Sequence, residues 1–124
     1  MQVRKSSMFV TIVGAMFAFA FAAVPGTASA VDDAAAKALW KRNDCNKCHA
    51  TKRDKKGPSL KKMAKELKEK AEKKKSTPEE VAIEQMTKGP KVKLLDSGKE
   101  EEHKIIDTKD MNEIKNLAAW ILGH

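Results

Sequence analysis

The sequence predicts a small all-α domain of four to five short helices behind an N-terminal leader, and three observations carry that prediction. Apolar residues recur at helical intervals in separate windows, 60–71, 81–86 and 111–121. Each window opens on a residue able to cap a helix: Ser59, Thr77, and Thr108 or Asp110. Residues 31–124 hold no alternating strand pattern, internal repeat or Gly/Ser linker.

The first thirty residues read as an address. Arg4 and Lys5 precede an apolar run from Met8 to Val24, and Ala28-Ser29-Ala30 supplies small residues for cleavage. Residues 1–30 are expected to be a signal peptide that sends the chain to the periplasm, leaving residues 31–124 as one small domain. An uncleaved anchor is the alternative, but the run is short for a bilayer span and Pro25-Gly26 follows it at once.

All four Phe (9, 17, 19 and 21) lie in that leader, there is no Tyr, and the remaining aromatics are Trp40 and Trp120. A core this thin is marginal on its own, and a large buried cofactor would complete it. Without Arg4 and Lys5, 23 of the 25 basic residues remain against 17 acidic ones, a net charge of +6. The charge is polarised: residues 52–75 carry twelve basic residues against Asp54, Glu66, Glu69 and Glu72, whereas residues 76–124 carry ten acids against seven lysines.

The elements follow in order. Residues 33–43 are rich in helix formers, with Asp32 or Asp33 as N-cap and Trp40 facing inward. Gly57-Pro58 breaks the chain, and Ser59 caps a helix bearing Leu60, Met63, Ala64, Leu67 and Ala71 on one stripe. Its other faces are charged, with i,i+4 pairs expected at Glu66/Lys70 and Glu69/Lys73. Thr77-Pro78-Glu79-Glu80 starts the next helix, which carries Val81, Ala82, Ile83 and Met86 and stops at Gly89-Pro90. Residues 91–107 show no sustained period and read as a long ordered loop. In the last helix Met111, Ile114, Leu117, Ala118 and Ile121 are spaced to bury one face.

Between the first two helices lies Cys45-Asn46-Lys47-Cys48-His49. At this spacing two thiols can bond the two vinyl groups of one haem while the adjacent imidazole reaches its iron. Three alternatives compete. A thioredoxin-like redox pair wants a βαβ context that is absent. A zinc site would have to recruit Cys45, Cys48, His103 and His124 at a spacing that fits no common finger. A Cys45–Cys48 disulfide would close too small a loop to stabilise much.

With these residues in place, the whole of residues 31–124 resembles the small monohaem class I cytochromes c. The likeness rests on a short helix with an aromatic residue before Cys45-x-x-Cys48-His49, on Gly57-Pro58-Ser59-Leu60 after it, on a middle helix ending near Gly89, and on the closing Leu117-Ala-Ala-Trp-Ile-Leu122. The resemblance implies helices wrapped around one covalent haem c, thioether bonds at Cys45 and Cys48, and His49 as proximal iron ligand. It also implies that the Pro58 carbonyl receives the second ring nitrogen of His49, fixing its tautomer. The alternative is that Gly57-Pro58 is only a turn.

Members of that family usually complete the iron with a methionine on the loop before the last helix, commonly beside proline, and this chain has no Met-Pro pair there. Met63 and Met86 fall on helical apolar stripes and Met111 lies within the last helix. His103 sits on that loop seventeen residues before Trp120, close to the family separation. The expectation is therefore bis-histidine ligation by His49 and His103, with Met86 as the fallback, Met63 and Met111 behind it, and His124 a poor candidate at a fraying end. A second imidazole in place of a thioether lowers the potential, and Glu100, Glu101 and Glu102 would push the same way if near the haem edge.

A six-coordinate haem leaves no place for substrate, and no acid/base pair or nucleophile stands beside it, so the expectation is an electron carrier and not an enzyme. The rival is a haem-based NO or CO binder or sensor whose sixth ligand, on the 91–107 loop, is displaced. Expected partners are redox proteins, acidic ones if the basic 52–75 stretch steers docking and not merely solvates a helix. Nucleic acid is not expected, since the basic stretch lacks interleaved aromatics. Neither is stable membrane insertion after cleavage, and the domain is expected to be a monomer or a weak dimer.

Overall fold

The computed structural model describes residues 30–124, so the expected leader, apart from Ala30, lies outside the described residues. Five helices and one small hairpin follow in order: α1 Asp33–Arg42, α2 Cys45–Cys48, α3 Leu60–Lys74, α4 Pro78–Lys88, β1 Lys91–Lys93, β2 Glu100–Glu102 and α5 Met111–Leu122. The all-α expectation holds but for the hairpin.

Each long helix starts where a short polar side chain relieves its unpaired first-turn N–H groups. Asp32 accepts from Ala35 N, Ser59 from Lys62 N, Thr77 from Glu80 N and Asp110 from Asn112 N. At α4 the cap is reciprocal, because the Glu80 carboxylate returns to the Thr77 N–H at 3.0 Å. Gly89 ends α4 in the left-handed region at φ 57°, where a side chain would be strained.

α5 is the central element, packing on α1, α3 and α4, while α3 also packs on α4. Leu117 and Ala118 at its middle are completely buried, and Ala36, Leu60, Leu67 and Val81 bring the other helices onto the same core. The α1/α5 contact is sealed by polar groups at its edge. Asn116 exchanges two hydrogen bonds with the backbone of Asp32, at 2.8 and 2.9 Å. The Trp120 indole N–H donates to Asp33 at 2.7 Å.

Three sequence expectations need correction. Residues 91–107 contain an antiparallel hairpin, with Lys91 opposite Glu102, Val92 opposite Glu101 and Lys93 opposite Glu100. Such strands are too short and too exposed to show apolar alternation, and lysines opposite glutamates favour this register. Met111 opens α5 but is 46% exposed, because a first-turn side chain lies past the end of the packed interface. On the charged face of α3 the close pair is Lys65–Glu69, at 3.8 Å, and not Glu66/Lys70 or Glu69/Lys73. Exposed pairs of this kind are weakly held.

A polar clamp joins the end of α1 to the segment before α5. Asn43, 1% exposed, donates to Leu39 O and Asp107 Oδ1 and accepts from Asp107 N at 2.9 Å. Arg42 adds a bidentate contact to the same Asp107 carboxylate. Asn43→Ala is expected to destabilise the haem-loaded protein by about 1 kcal/mol, because it removes a buried side chain's hydrogen bonds to Leu39 O and to Asp107, read from the denaturant midpoint. Arg42, and then Asn43, hold the Asp107 carboxyl below its ordinary range. A lowered folded-state value means stabilisation that is full above the unfolded carboxylate value and fades as pH falls through the folded one. Asp107→Asn should therefore be less stable than the wild type at neutral pH, with the difference closing below about pH 3.8.

Candidate functional site

The cysteine pair and its histidine sit on a single helical turn and the residue that ends it. Asp44 enters that turn in the left-handed region at φ 57°, a conformation Asp tolerates, and His49 leaves it extended. The following loop is folded back by Gly57 N donating to Cys48 O and Leu60 N to Ala50 O, both at 2.9 Å. That closure brings the Pro58 carbonyl 2.7 Å from His49 Nδ1. A carbonyl only accepts, so Nδ1 carries the hydrogen and Nε2 is left with its lone pair. Gly57 makes the approach sterically feasible, since a Cβ there would fall 2.4 Å from His49 Cε1. Trp40 lies on another side of the ring, with centroids 5.7 Å apart.

His103 arrives from the opposite side of the sequence through the end of α4. A Cβ on Gly89 would meet His103 O at 2.7 Å, so this glycine serves the close approach as well as the helix end. His103 N donates to Pro90 O at 2.9 Å and Ile106 N to Met86 O at 3.0 Å, which pins the segment to carbonyls at the last turn of α4 and just beyond. The His103 ring turns its Nδ1 to Lys104 O at 3.0 Å, a bond in which Nδ1 donates, and the Gln85 backbone also acts on the ring.

The two rings stand 6.3 Å apart between centroids, inclined at 41°. Burial pushes the pKa of both below the ordinary histidine value; the Pro58 carbonyl partly offsets this for His49 and the Lys104 carbonyl for His103. Both imidazoles are therefore neutral at pH 7, each oriented by a backbone carbonyl. Burial raises the Cys45 thiol to about 11, the reverse of an activated redox cysteine. No disulfide joins Cys45 to Cys48.

The other sequence candidates lie elsewhere. Met86, 6% exposed, belongs to the helical core, Met63 is packed against that core, and Met111 is exposed. His124 packs on the last helix, its Nδ1 donating to Trp120 O at 2.8 Å and its ring meeting Trp120 edge-on at 4.6 Å. Among the described residues no group of three or more His, Cys, Asp or Glu is disposed to hold a metal ion by itself. Sequence reasoning missed Asp54, which accepts from Ser59 N at 2.8 Å and steadies the Pro58 carbonyl. Its signal, an acid five residues ahead of a helix cap, was hidden in a lysine-rich stretch.

These residues fit a haem c. Two imidazoles sharing one metal ion through bonds of about 2.0 Å would have ring centres about 6 Å apart, a spacing close to the 6.3 Å between His49 and His103. The cysteine pair supplies thiols directly beside His49.

The comparisons agree. The cytochrome c family model matches residues 34–124. Among solved structures, the chain is similar to the class 1 cytochrome MtoD from Sideroxydans lithotrophicus ES-1, with 45% identity over 76% of this chain and 97% of that one, and a TM-score of 0.64. No curated protein matches the chain. Because an added Cβ at Gly57 would strike the His49 ring, Gly57→Ala should sharply reduce the yield of correctly assembled haem protein, measured by absorbance per mole of chain. Gly123→Ala, whose Cβ would meet nothing closer than 3.5 Å, should not. The helical fold, the Cys45-x-x-Cys48-His49 motif and the match over residues 34–124 together assign the chain to the cytochrome c family, as an electron-transfer protein carrying one covalently bound haem c.

Proposed function

We propose that the protein is a periplasmic electron carrier of low reduction potential that is not an enzyme, with His49 and His103 as the two axial ligands of its haem iron. Cys45 and Cys48 are the thioether-forming residues in this reading, and Pro58 holds the proximal ring. Residues 1–30 are the cleaved signal and residues 31–124 the working domain. The observation that carries the proposal is the pair of neutral imidazoles 6.3 Å apart, each with Nδ1 bound to a backbone carbonyl.

When bound, the haem supplies a one-electron couple. The chain sets the level of that couple and the route to it. Two nitrogen donors favour the oxidised iron more than a nitrogen and a thioether do, hence the low potential. Glu100 to Glu102 contribute less to it than their charge suggests, because Lys91 and Lys93 lie across the hairpin from Glu102 and Glu100. The hydrogen bonds of His103 N and Ile106 N anchor the distal segment, which favours a fixed ligand over the displaceable one of an NO or CO binder.

The exposed lysines of α3 and of the loop before it form a basic region suited to an acidic redox partner. Among the described residues no helix is long and apolar enough to cross a membrane. In this reading the domain, released by cleavage, works as a monomer or weak dimer without nucleic acid.

Absorption spectra of the haem-loaded protein and its His103→Ala variant test the ligand pair. The wild type is expected to be low-spin in both oxidation states, without an iron–sulfur band and without binding CO, while the variant becomes high-spin and binds CO. A sulfur band that survives the substitution would transfer the role to Met86. With an acidic partner, the rate of electron exchange should fall as salt rises; a salt-independent rate would remove the steering role of the basic region.

A further inference from the structure

The peptide unit joining Pro58 to Ser59 is hydrogen-bonded at both of its polar ends. Its carbonyl accepts from His49 Nδ1 at 2.7 Å, and its N–H donates to Asp54 Oδ1 at 2.8 Å. The second Asp54 oxygen accepts from Lys62 Nζ at 3.1 Å. Asp54 is also paired with His49 through an isolated antiparallel bridge, so carboxylate, peptide and imidazole are held in one fixed arrangement. The Ser59 N–H, followed by Lys62, keeps the Asp54 carboxyl below its ordinary range, so it is ionised at neutral pH.

We propose that Asp54 is a positioning residue that tunes the electron affinity of the haem iron through the Pro58–Ser59 peptide. The inference rests on His49 being an iron ligand. A carboxylate on the N–H of an amide polarises it and increases the negative charge on its oxygen. That oxygen then draws more strongly on the Nδ1 hydrogen, which makes the imidazole a better donor and favours oxidised iron. Lys62 opposes this by withdrawing charge from the carboxylate. The relay differs from the ordinary field of a surface charge. Asp54 and Lys62 side chains are 42% and 45% exposed, so their action through solvent is screened by salt, whereas polarisation along the hydrogen bonds is not.

The test uses haem-loaded wild type, Asp54→Asn, Asp54→Ala and Lys62→Met. Asn keeps an acceptor oxygen for Ser59 N–H without the charge, so the comparison stands even if the Ala variant folds poorly. At a fixed poise, Asp54→Asn should raise the reduced-to-oxidised ratio about threefold, equivalent to about 30 mV at 59 mV per tenfold change. The shift should persist at high salt, and Lys62→Met should move the ratio the other way. The exchangeable His49 Nδ1–H resonance of the oxidised protein should move in step with the potential. An unchanged potential, or a shift that vanishes in salt while the Nδ1–H resonance stays at its wild-type position, overturns the relay. The wild type alone tests the reading beneath it: if its His49 Nδ1–H resonance shows no shift from the iron, His49 is not a ligand and the inference falls with it.

Discussion

A neutral imidazole can bind a metal only through the ring nitrogen that carries no hydrogen, and in this structure backbone carbonyls orient two such rings, His49 and His103. At His49 the control is a backbone carbonyl at 2.7 Å, presented by a proline in a loop closed on itself. At His103 it is the neighbouring Lys104 carbonyl, presented by a segment pinned to the end of α4. Glycines make both approaches feasible, Gly57 against the His49 ring and Gly89 against the His103 backbone. Backbone placement and these ring-to-carbonyl bonds together leave the two rings 6.3 Å apart.

The helices act as the frame for these two loops. α5 buries its apolar stripe against α1, α3 and α4, and the Asn43–Asp107–Arg42 clamp fixes where the distal segment re-enters the frame. Among the described residues Trp40 and Trp120 are the only large aromatics of the core, so that frame is thin. Trp40 reaches from this core to the His49 ring, so packing and site share a residue. Covalent haem c adds apolar surface to such a domain and ties its loops to the helices that carry them. Charge is distributed for a different purpose, with basic side chains exposed along α3 and its preceding loop, away from the buried stripe of Leu60, Ala64, Leu67 and Ala71.

What could be read from the sequence was what is decided locally. Ser59, Thr77 and Asp110 announce their helices because a cap and the turn it serves lie within three residues. Cys45, Cys48 and His49 were legible through a motif whose spacing reflects one chemical task, and Pro58 through the family resemblance, with its carbonyl found at His49 Nδ1. His103 was expected near the site from its separation from Trp120 and from the lack of a better-placed methionine, and its ring does lie 6.3 Å from that of His49. The hairpin escaped because its three-residue strands are held by backbone bonds and opposite charges, which leave no apolar signature. Asn43 looked like an ordinary helix end, and its role depends on Asp107, far along the chain. Asp54 was hidden for another reason: one acid among many lysines reads as surface charge until the loop brings it to the Ser59 N–H.

The pairing of His49 with His103 is tested most directly by near-infrared magnetic circular dichroism of the oxidised, haem-loaded wild-type protein. The ligand-to-iron charge-transfer band reports which two donors hold the iron, without any substitution that could disturb the fold. Two neutral imidazoles, as proposed, predict the band at the energy of a bis-histidine haem. A band at the lower energy of a histidine–methionine pair would contradict the proposal, and with it the low potential argued from two nitrogen donors.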